Sequence, residues 1–253
     1  MHSSPDFADS FWQKNYLLTD SRKLVYPADT LFFALPGQKS DGHLYVEELY
    51  EKGVRHFVVA DGFAPAPEYG QARFYHCPSP LRALQQLCAW HREKFSYPVV
   101  AITGSHAKTI IKEWLYQLLE PDEAVVKSPK SYNSQTGVPL SVWQMRPHHQ
   151  RAIFEAGISR TGEMQYLQQI LKPDIGIFTN IGPAHDEGFS SRQQKIDEKM
   201  RLFAQVKTLI FCADHPQIVQ ACQGQPFGQV TWSQQGRPAT VQFALADRQH
   251  GQL

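Results

Sequence analysis

The chain has 253 residues, 42% of them hydrophobic and 19% charged, with 25 basic against 24 acidic side chains and a formal net charge of +1. That length excludes a disulfide-stapled miniprotein and suits two domains of about 100–150 residues. The charge balance, with no cluster of Lys and Arg, argues against nucleic acid or an anionic membrane surface as the main partner. No apolar run approaches the roughly 18 residues that span a bilayer. Asp6 and Asp9 stand where a secretory signal needs basic and apolar regions, so a cytoplasmic location is expected. Cys77, Cys88, Cys212 and Cys222 show no C-x-x-C spacing and are expected as reduced thiols in the core.

From Leu31 onward, short apolar runs alternate with helical stretches, the sequence form of an α/β fold with a largely parallel sheet. LFFAL (31–35) and HFVVA (56–60) read as strands. Between them DGHLYVEELYEKG sets Leu44, Tyr45 and Leu49 at helical spacing and stops at Gly53. Ser79 and Pro80 open a helix whose Leu81, Leu84, Leu87 and Cys88 share one face. Tyr97-Pro98 breaks that pattern and predicts domains over 1–96 and 97–253. Strand VVAIT (99–103) follows, then a loop, then a helix in which Ile110, Ile111, Trp114, Leu115, Leu118 and Leu119 form one wide apolar face. AIFEA (152–156), DIGIFTN (174–180) and TLIFCA (208–213) read as further strands, separated by helices near 163–171 and 191–205. VTWSQQG and TVQFALADRQHGQL look like the start of more strands with no closing element, so the second domain is expected to be incomplete.

The loop between VVAIT and its helix runs Thr103-Gly104-Ser105-His106-Ala107-Lys108-Thr109. A strand-to-helix loop ending in Lys-Thr suits phosphate: backbone N–H groups and the helix N-terminus face the anion, Lys reaches the terminal phosphates, and the hydroxyl ligates Mg²⁺. Ala107 stands where such loops carry Gly. If the backbone there has positive φ, the Cβ costs roughly 1–2 kcal/mol. Taken alone, the loop also fits a plain strand-turn-helix corner with an exposed lysine.

With DSRKLVYPADTLFFALPGQKSDGH (20–43), SYNSQTGVPLSVW (131–143), FEAGISRTGE (154–163) and TNIGPAHDEGF (179–189), this loop resembles the Mur ligases. These are ATP-dependent amide-bond-forming enzymes of peptidoglycan precursor synthesis. The likeness is strongest to members that add D-Ala-D-Ala to UDP-N-acetylmuramoyl-tripeptide (UDP-MurNAc-tripeptide). It implies a small UDP-binding α/β domain followed by an incomplete P-loop-type central domain with a mainly parallel sheet. It further implies ATP, two Mg²⁺ sites, small-molecule substrates and a monomer.

Residue by residue, the resemblance implies ATP contacts from Gly104, Ser105, His106, Ala107, Lys108, Thr109 and Asn180, the last near the adenine. Thr109, Glu155 and His185 match metal-binding positions, and a buried Glu at a strand end favours a cation for its own reasons. Lys108, His185 and Lys199 match the catalytic positions; Lys199 corresponds to a lysine carbamylated in the family, with Lys195 one turn earlier as its rival. Ser21 and Arg22 match uridine-diphosphate contacts, while Asn133 and Gln135 lie in the muramyl-peptide region, where Ser134 replaces a more usual Asn.

Two departures carry expectations. His106 and Ala107 replace the family's Asn and Gly, and the added bulk predicts weakened ATP binding, reversed on restoring Asn and Gly. The family's C-terminal domain lies beyond this sequence, so the 253 residues alone are expected to be inactive. The alternatives are a non-catalytic module that binds the UDP-muramyl peptide, and a ligase for another Mur or folate-type substrate.

Overall fold

The computed structural model describes residues 14–37, 40–182 and 188–243. They form two compact units that divide between Cys88 and Ala89, inside the helix that precedes the boundary expected from Tyr97-Pro98. Both are α/β with parallel sheets.

The first unit holds β1 (Tyr16–Leu18), β2 (Thr30–Phe33), β3 (His56–Ala60) and β4 (Arg73–Cys77), paired in that order and all parallel. β2 is buried along its whole length, as expected for an uninterrupted apolar run covered on both faces. β1 and β4 are the edges and carry mixed, half-exposed side chains, so neither stood out in the sequence. Residues Gly42–Tyr45 form a 3-10 turn before helix α1 (Val46–Glu51). The tighter turn rotates Leu44 outward, where it is 77% exposed, and Val46 takes the core position beside Leu49 instead. Helix α2 (Pro80–Glu93) begins as expected: the Arg82 N–H donates to Ser79 Oγ at 3.4 Å.

The second unit is built on β5 (Val99–Thr103), β6 (Val125–Lys127), β7 (Arg151–Glu155), β8 (Ile175–Phe178), β9 (Thr208–Cys212), β10 (Gly228–Ser233) and β11 (Val241–Gln242). Their order is β11-β10-β9-β8-β5-β7-β6, and every described pair is parallel. Helices α3 (Lys108–Leu119), α4 (Gly137–Val142), α5 (Met164–Leu171), α6 (Arg192–Met200) and α7 (Pro216–Cys222) connect them. β5 lies between β7 and β8, so the winding reverses there, and such a switch point leaves a crevice at the carboxyl ends of the strands. The register Ile102↔Glu155 and Thr103↔Phe178 brings the loop after β5, the end of β7 and the segment after β8 to one place.

Helix α3 corrects the expected apolar face. Ile111, Leu115 and Leu119 pack on Val100, Ile102 and Ile153, whereas Ile110, Trp114 and Leu118 are 54%, 64% and 74% exposed. A sheet covers one stripe of a helix, and here the stripe beside Ile111 is completed by a fully buried lysine, Lys112. All four cysteines are free thiols, three of them buried. Burial pushes the Cys222 thiol up to about 12. Among the described residues no helix is long and apolar enough to cross a membrane.

Candidate functional site

The loop after β5 is held by the segment after β8. Ser105 N–H donates to Asn180 O at 3.0 Å, and His106 N–H to Asn180 Oδ1 at 3.0 Å. Ser105 Oγ donates to Gly182 O at 3.1 Å and accepts from Gly182 N–H at 2.9 Å, while Thr179 Oγ1 donates to His106 O at 2.7 Å. Gly104, at φ +147°, is required by this closeness: a Cβ there would lie 1.9 Å from Thr179 Oγ1. Ala107 sits at φ +65°, ψ +3°, the left-handed conformation that costs an L residue roughly 1–2 kcal/mol. No side chain caps the start of α3, leaving its N-terminal end to the loop.

Three lysines reach this loop and the segment that holds it. Lys108 Nζ donates to Gly104 O at 2.8 Å, Lys199 Nζ to the same oxygen at 3.2 Å, and Lys195 Nζ to Gly182 O at 2.6 Å. Burial, then the charges of Lys108 and Lys195, lowers the Lys199 amine to about 7. Lys108 is lowered chiefly by burial as well, with Glu155 opposing. Lys195 and Lys199 lie one turn apart on α6, and both are buried.

Glu155, at the end of β7, is fully buried. Its Oε2 accepts from Thr109 Oγ1 at 3.0 Å and from Asn133 Nδ2 at 3.3 Å. Its Oε1 has no hydrogen-bond partner among the described residues but faces the Lys112 ammonium at 3.0 Å. Asn133 is fixed by the Gly157 N–H, which donates to its carbonyl at 2.7 Å, and Gln135 Nε2 donates to Glu163 O at 3.2 Å. Gly104, Lys108, Asn133, Gln135, Glu163 and Lys199 line a cavity of about 370 Å³.

The site residues expected from sequence therefore fall into three groups. Gly104, Ser105, His106, Ala107, Lys108, Thr109, Asn133, Gln135, Glu155, Asn180 and Lys199 gather at the carboxyl ends of β5, β7 and β8. His185 lies outside the described residues. Ser21 and Arg22 belong to the first unit, where they help line a cavity of about 470 Å³ with Thr19, Gly37, Ser40 and Tyr45. Ser21 is buried, and Arg22 pairs with Asp20 at 2.8 Å, which holds the Asp20 carboxyl below its ordinary value. Asn180, expected near an adenine, is engaged through both backbone and side chain with the loop at 105–106.

Sequence reasoning missed Lys112, Glu163 and Glu198. Glu163 Oε2 accepts from the N–H groups of Ser159 and Arg160, at 2.7 and 3.0 Å. Glu198 Oε1 accepts from those of Gly162 and Met164, at 2.8 and 3.0 Å, and so closes the N-terminus of α5. Lys112 follows Lys108 by one turn, but the sequence does not show which stripe of α3 the sheet covers, so it reads as an ordinary helical lysine. The two glutamates are loop and helix braces with no sequence signal beyond their charge.

The oxygen donors fit Mg²⁺. A carboxylate and a hydroxyl converge from two elements, and this ion retains waters and takes phosphate oxygens, so it needs few protein ligands. Among the described residues no group of three His, Cys, Asp or Glu side chains is arranged for a metal.

A parallel sheet whose switch-point strand ends in a lysine-bearing loop at a helix start defines a doubly wound α/β protein with its crevice at the carboxyl ends of the strands. Residues 102–252 match the Mur ligase middle domain, and the chain belongs to the Mur ligase family. It is 33% identical over 215 residues to the UDP-N-acetylmuramoyl-tripeptide–D-alanyl-D-alanine ligase of Bacillus subtilis, covering 83% of this chain and 46% of that protein. Against the Treponema pallidum enzyme of the same name it is 37% identical over 193 residues, 74% of this chain and 42% of that protein. The fold matches a crystal structure of MurF from Acinetobacter baumannii (TM-score 0.78, 25% identity, 87% of this chain and 48% of that one). It likewise matches MurF from Thermotoga maritima in complex with ADP (TM-score 0.77, 25% identity, 89% and 52%). The chain thus spans about half the length of the relatives it matches.

Proposed function

We propose that this chain is part of an ATP-dependent amide-bond ligase that adds D-Ala-D-Ala to UDP-MurNAc-tripeptide in the cytoplasm, as a monomer. The observation that carries this reading is the 370 Å³ cavity, where Lys108, Lys199, Asn133 and Gln135 meet beside Glu155 and Thr109. The relatives' names supply the substrate class.

In this reading the peptide carboxylate attacks the γ-phosphorus of ATP, the β–γ P–O bond breaks and ADP leaves. The amine of D-Ala-D-Ala then attacks the acyl phosphate carbonyl, phosphate departs and the amide forms. Lys108 extends toward the terminal phosphates, whose negative charge offsets the unfavourable proximity of the buried Lys195 and Lys199 and the half-buried Lys108. Thr109 and Glu155, with His185 as the family resemblance implies, would hold Mg²⁺, which when bound would neutralise charge on the phosphoryl oxygens. Asn180 acts by bracing the loop. Asn133 and Gln135 contact the muramyl peptide, and Ser21 with Arg22 contacts the uridine diphosphate in the 470 Å³ cavity of the first unit.

Lys199 would be carbamylated and in that form would help hold a second Mg²⁺. A lysine lowered to about 7 presents the free amine that attacks CO₂, and it lines the cavity, while Lys195 is turned to Gly182 O. Incubation with ¹³C-bicarbonate should give a carbamate carbon signal that is absent from Lys199→Met; a signal retained in that variant assigns the modification elsewhere.

Ala107 favours a second reading, a module that binds the UDP-muramyl peptide but uses ATP poorly, because its Cβ stands in a left-handed position beside the phosphate loop. The deciding experiment is a ligase assay on the protein that contains this chain. ADP release that requires both UDP-MurNAc-tripeptide and D-Ala-D-Ala supports the ligase; UDP-muramyl-peptide binding without turnover supports the module.

A further inference from the structure

Lys112 is fully buried, and its ammonium is enclosed by oxygen. It donates to Ser128 O at 2.9 Å and to Lys130 O, and lies 3.0 Å from both Glu113 Oε1 and Glu155 Oε1. Lys130 itself has φ +49°, so the turn that offers its carbonyl to Lys112 is held in a left-handed conformation. Glu113 is shared with Lys127, which places the more exposed end of this network on the surface and the Glu155 end in the interior.

The two oxygens of Glu155 are consequently unequal. Oε1 faces Lys112 and has no hydrogen bond among the described residues, whereas Oε2 meets the Thr109 hydroxyl and the Asn133 amide. A buried carboxylate with one oxygen beside a fixed cation is hindered from turning about its last torsion, because every intermediate angle draws that oxygen away from the Lys112 ammonium.

We propose that Lys112 is a positioning residue for Glu155: it holds Oε1, so that the carboxylate presents Oε2 alone to a divalent cation shared with Thr109. The inference rests on the nucleotide reading of this site. It makes Lys112 a link between the phosphate loop, which begins the same helix, and the 128–133 turn that delivers Asn133.

The test is ADP binding to this chain by calorimetry, in EDTA and across a Mg²⁺ series, for the parent and for Lys112→Met. The parent should bind more tightly as Mg²⁺ rises. Lys112→Met should keep its EDTA affinity within about twofold and lose about tenfold of the Mg²⁺ enhancement, the usual scale for removing a group that orients a metal ligand. Enhancement equal to the parent's overturns the inference, as does equal loss with and without Mg²⁺, which marks Lys112 as a purely structural lock. No ADP binding by the parent under either condition overturns the ligase reading itself, and this inference with it. If Lys112→Met does not fold, a crystal structure of the unaltered chain with Mn²⁺ and ADP decides. Metal on Oε2 with Lys112 still against Oε1 supports the proposal, and metal on both oxygens or on Oε1 refutes it.

Discussion

Two strand-end turns, one in each unit, solve the same steric problem with opposite electrostatics. After β2, Gly42 lies so close to the backbone that a Cβ would be 2.6 Å from Leu35 N. After β5, Gly104 would put its Cβ 1.9 Å from Thr179 Oγ1. The first turn is closed by paired groups: Asp41 Oδ1 accepts from His43 N–H at 3.0 Å and from Nδ1 at 2.6 Å, while His43 Nε2 accepts from Ala60 N–H at 3.0 Å. The second gathers Lys108, Lys195 and Lys199 and places Ala107 at positive φ. A satisfied turn serves the fold, whereas a turn that concentrates buried like charge and strain has something to gain from an anion.

The largest effect should come from the glycines. Gly104→Ala and Gly42→Ala should each destabilise by roughly 2–4 kcal/mol, since each Cβ meets a fixed neighbour. Urea unfolding measures both, and only Gly104→Ala should also abolish nucleotide binding. If Gly42→Ala abolishes it equally, the contrast between the turns fails.

Lys199→Met comes next and should stabilise the chain near neutral pH by something on the order of a few kcal/mol. The sign follows from the lowered amine: folded Lys199 at about 7 binds fewer protons than the unfolded residue. The penalty is therefore complete below about pH 7 and vanishes as pH climbs toward the ordinary lysine value of 10.5. Unfolding midpoints at pH 6.5 and 9.5 in CO₂-free buffer should show the advantage of Met shrinking as pH rises. A constant advantage would mean that lost packing, not charge, is being measured.

Asp41→Ala should cost about 1 kcal/mol by removing acceptors from the satisfied turn, with no change in nucleotide affinity. The smallest change is Ala107→Gly, which should raise stability by about 0.5–1 kcal/mol as the left-handed strain is released, less the entropy that Gly adds to the unfolded chain. A loss of stability there would show that the strain is absorbed elsewhere.

The contrast also explains what was legible beforehand. β2, β3, β5, β7, β8 and β9 are continuous apolar runs in parallel sheets, and the loop after β5 announces itself by glycine, lysine and threonine between strand and helix. The short edges β1 and β4 were invisible because a half-exposed strand carries little periodicity. The split of α3 into covered and bare stripes was hidden because both are apolar, and only the neighbouring sheet decides which is used. Glu155 could be singled out as a buried carboxylate, yet its partner Lys112 looked like any helical lysine. Ala107 was identifiable as a misfit, and its φ of +65° depends on the hydrogen bonds that Asn180 and Thr179 impose from across the sheet.

The most direct measurement is calorimetric titration of Mg²⁺-ATP into this chain, into Lys108→Met, and into the variant carrying His106→Asn with Ala107→Gly. A polyphosphate site at the loop after β5 predicts saturable binding that Lys108→Met removes and the double restoration tightens. Failure of both the parent and the restored variant to bind would contradict it.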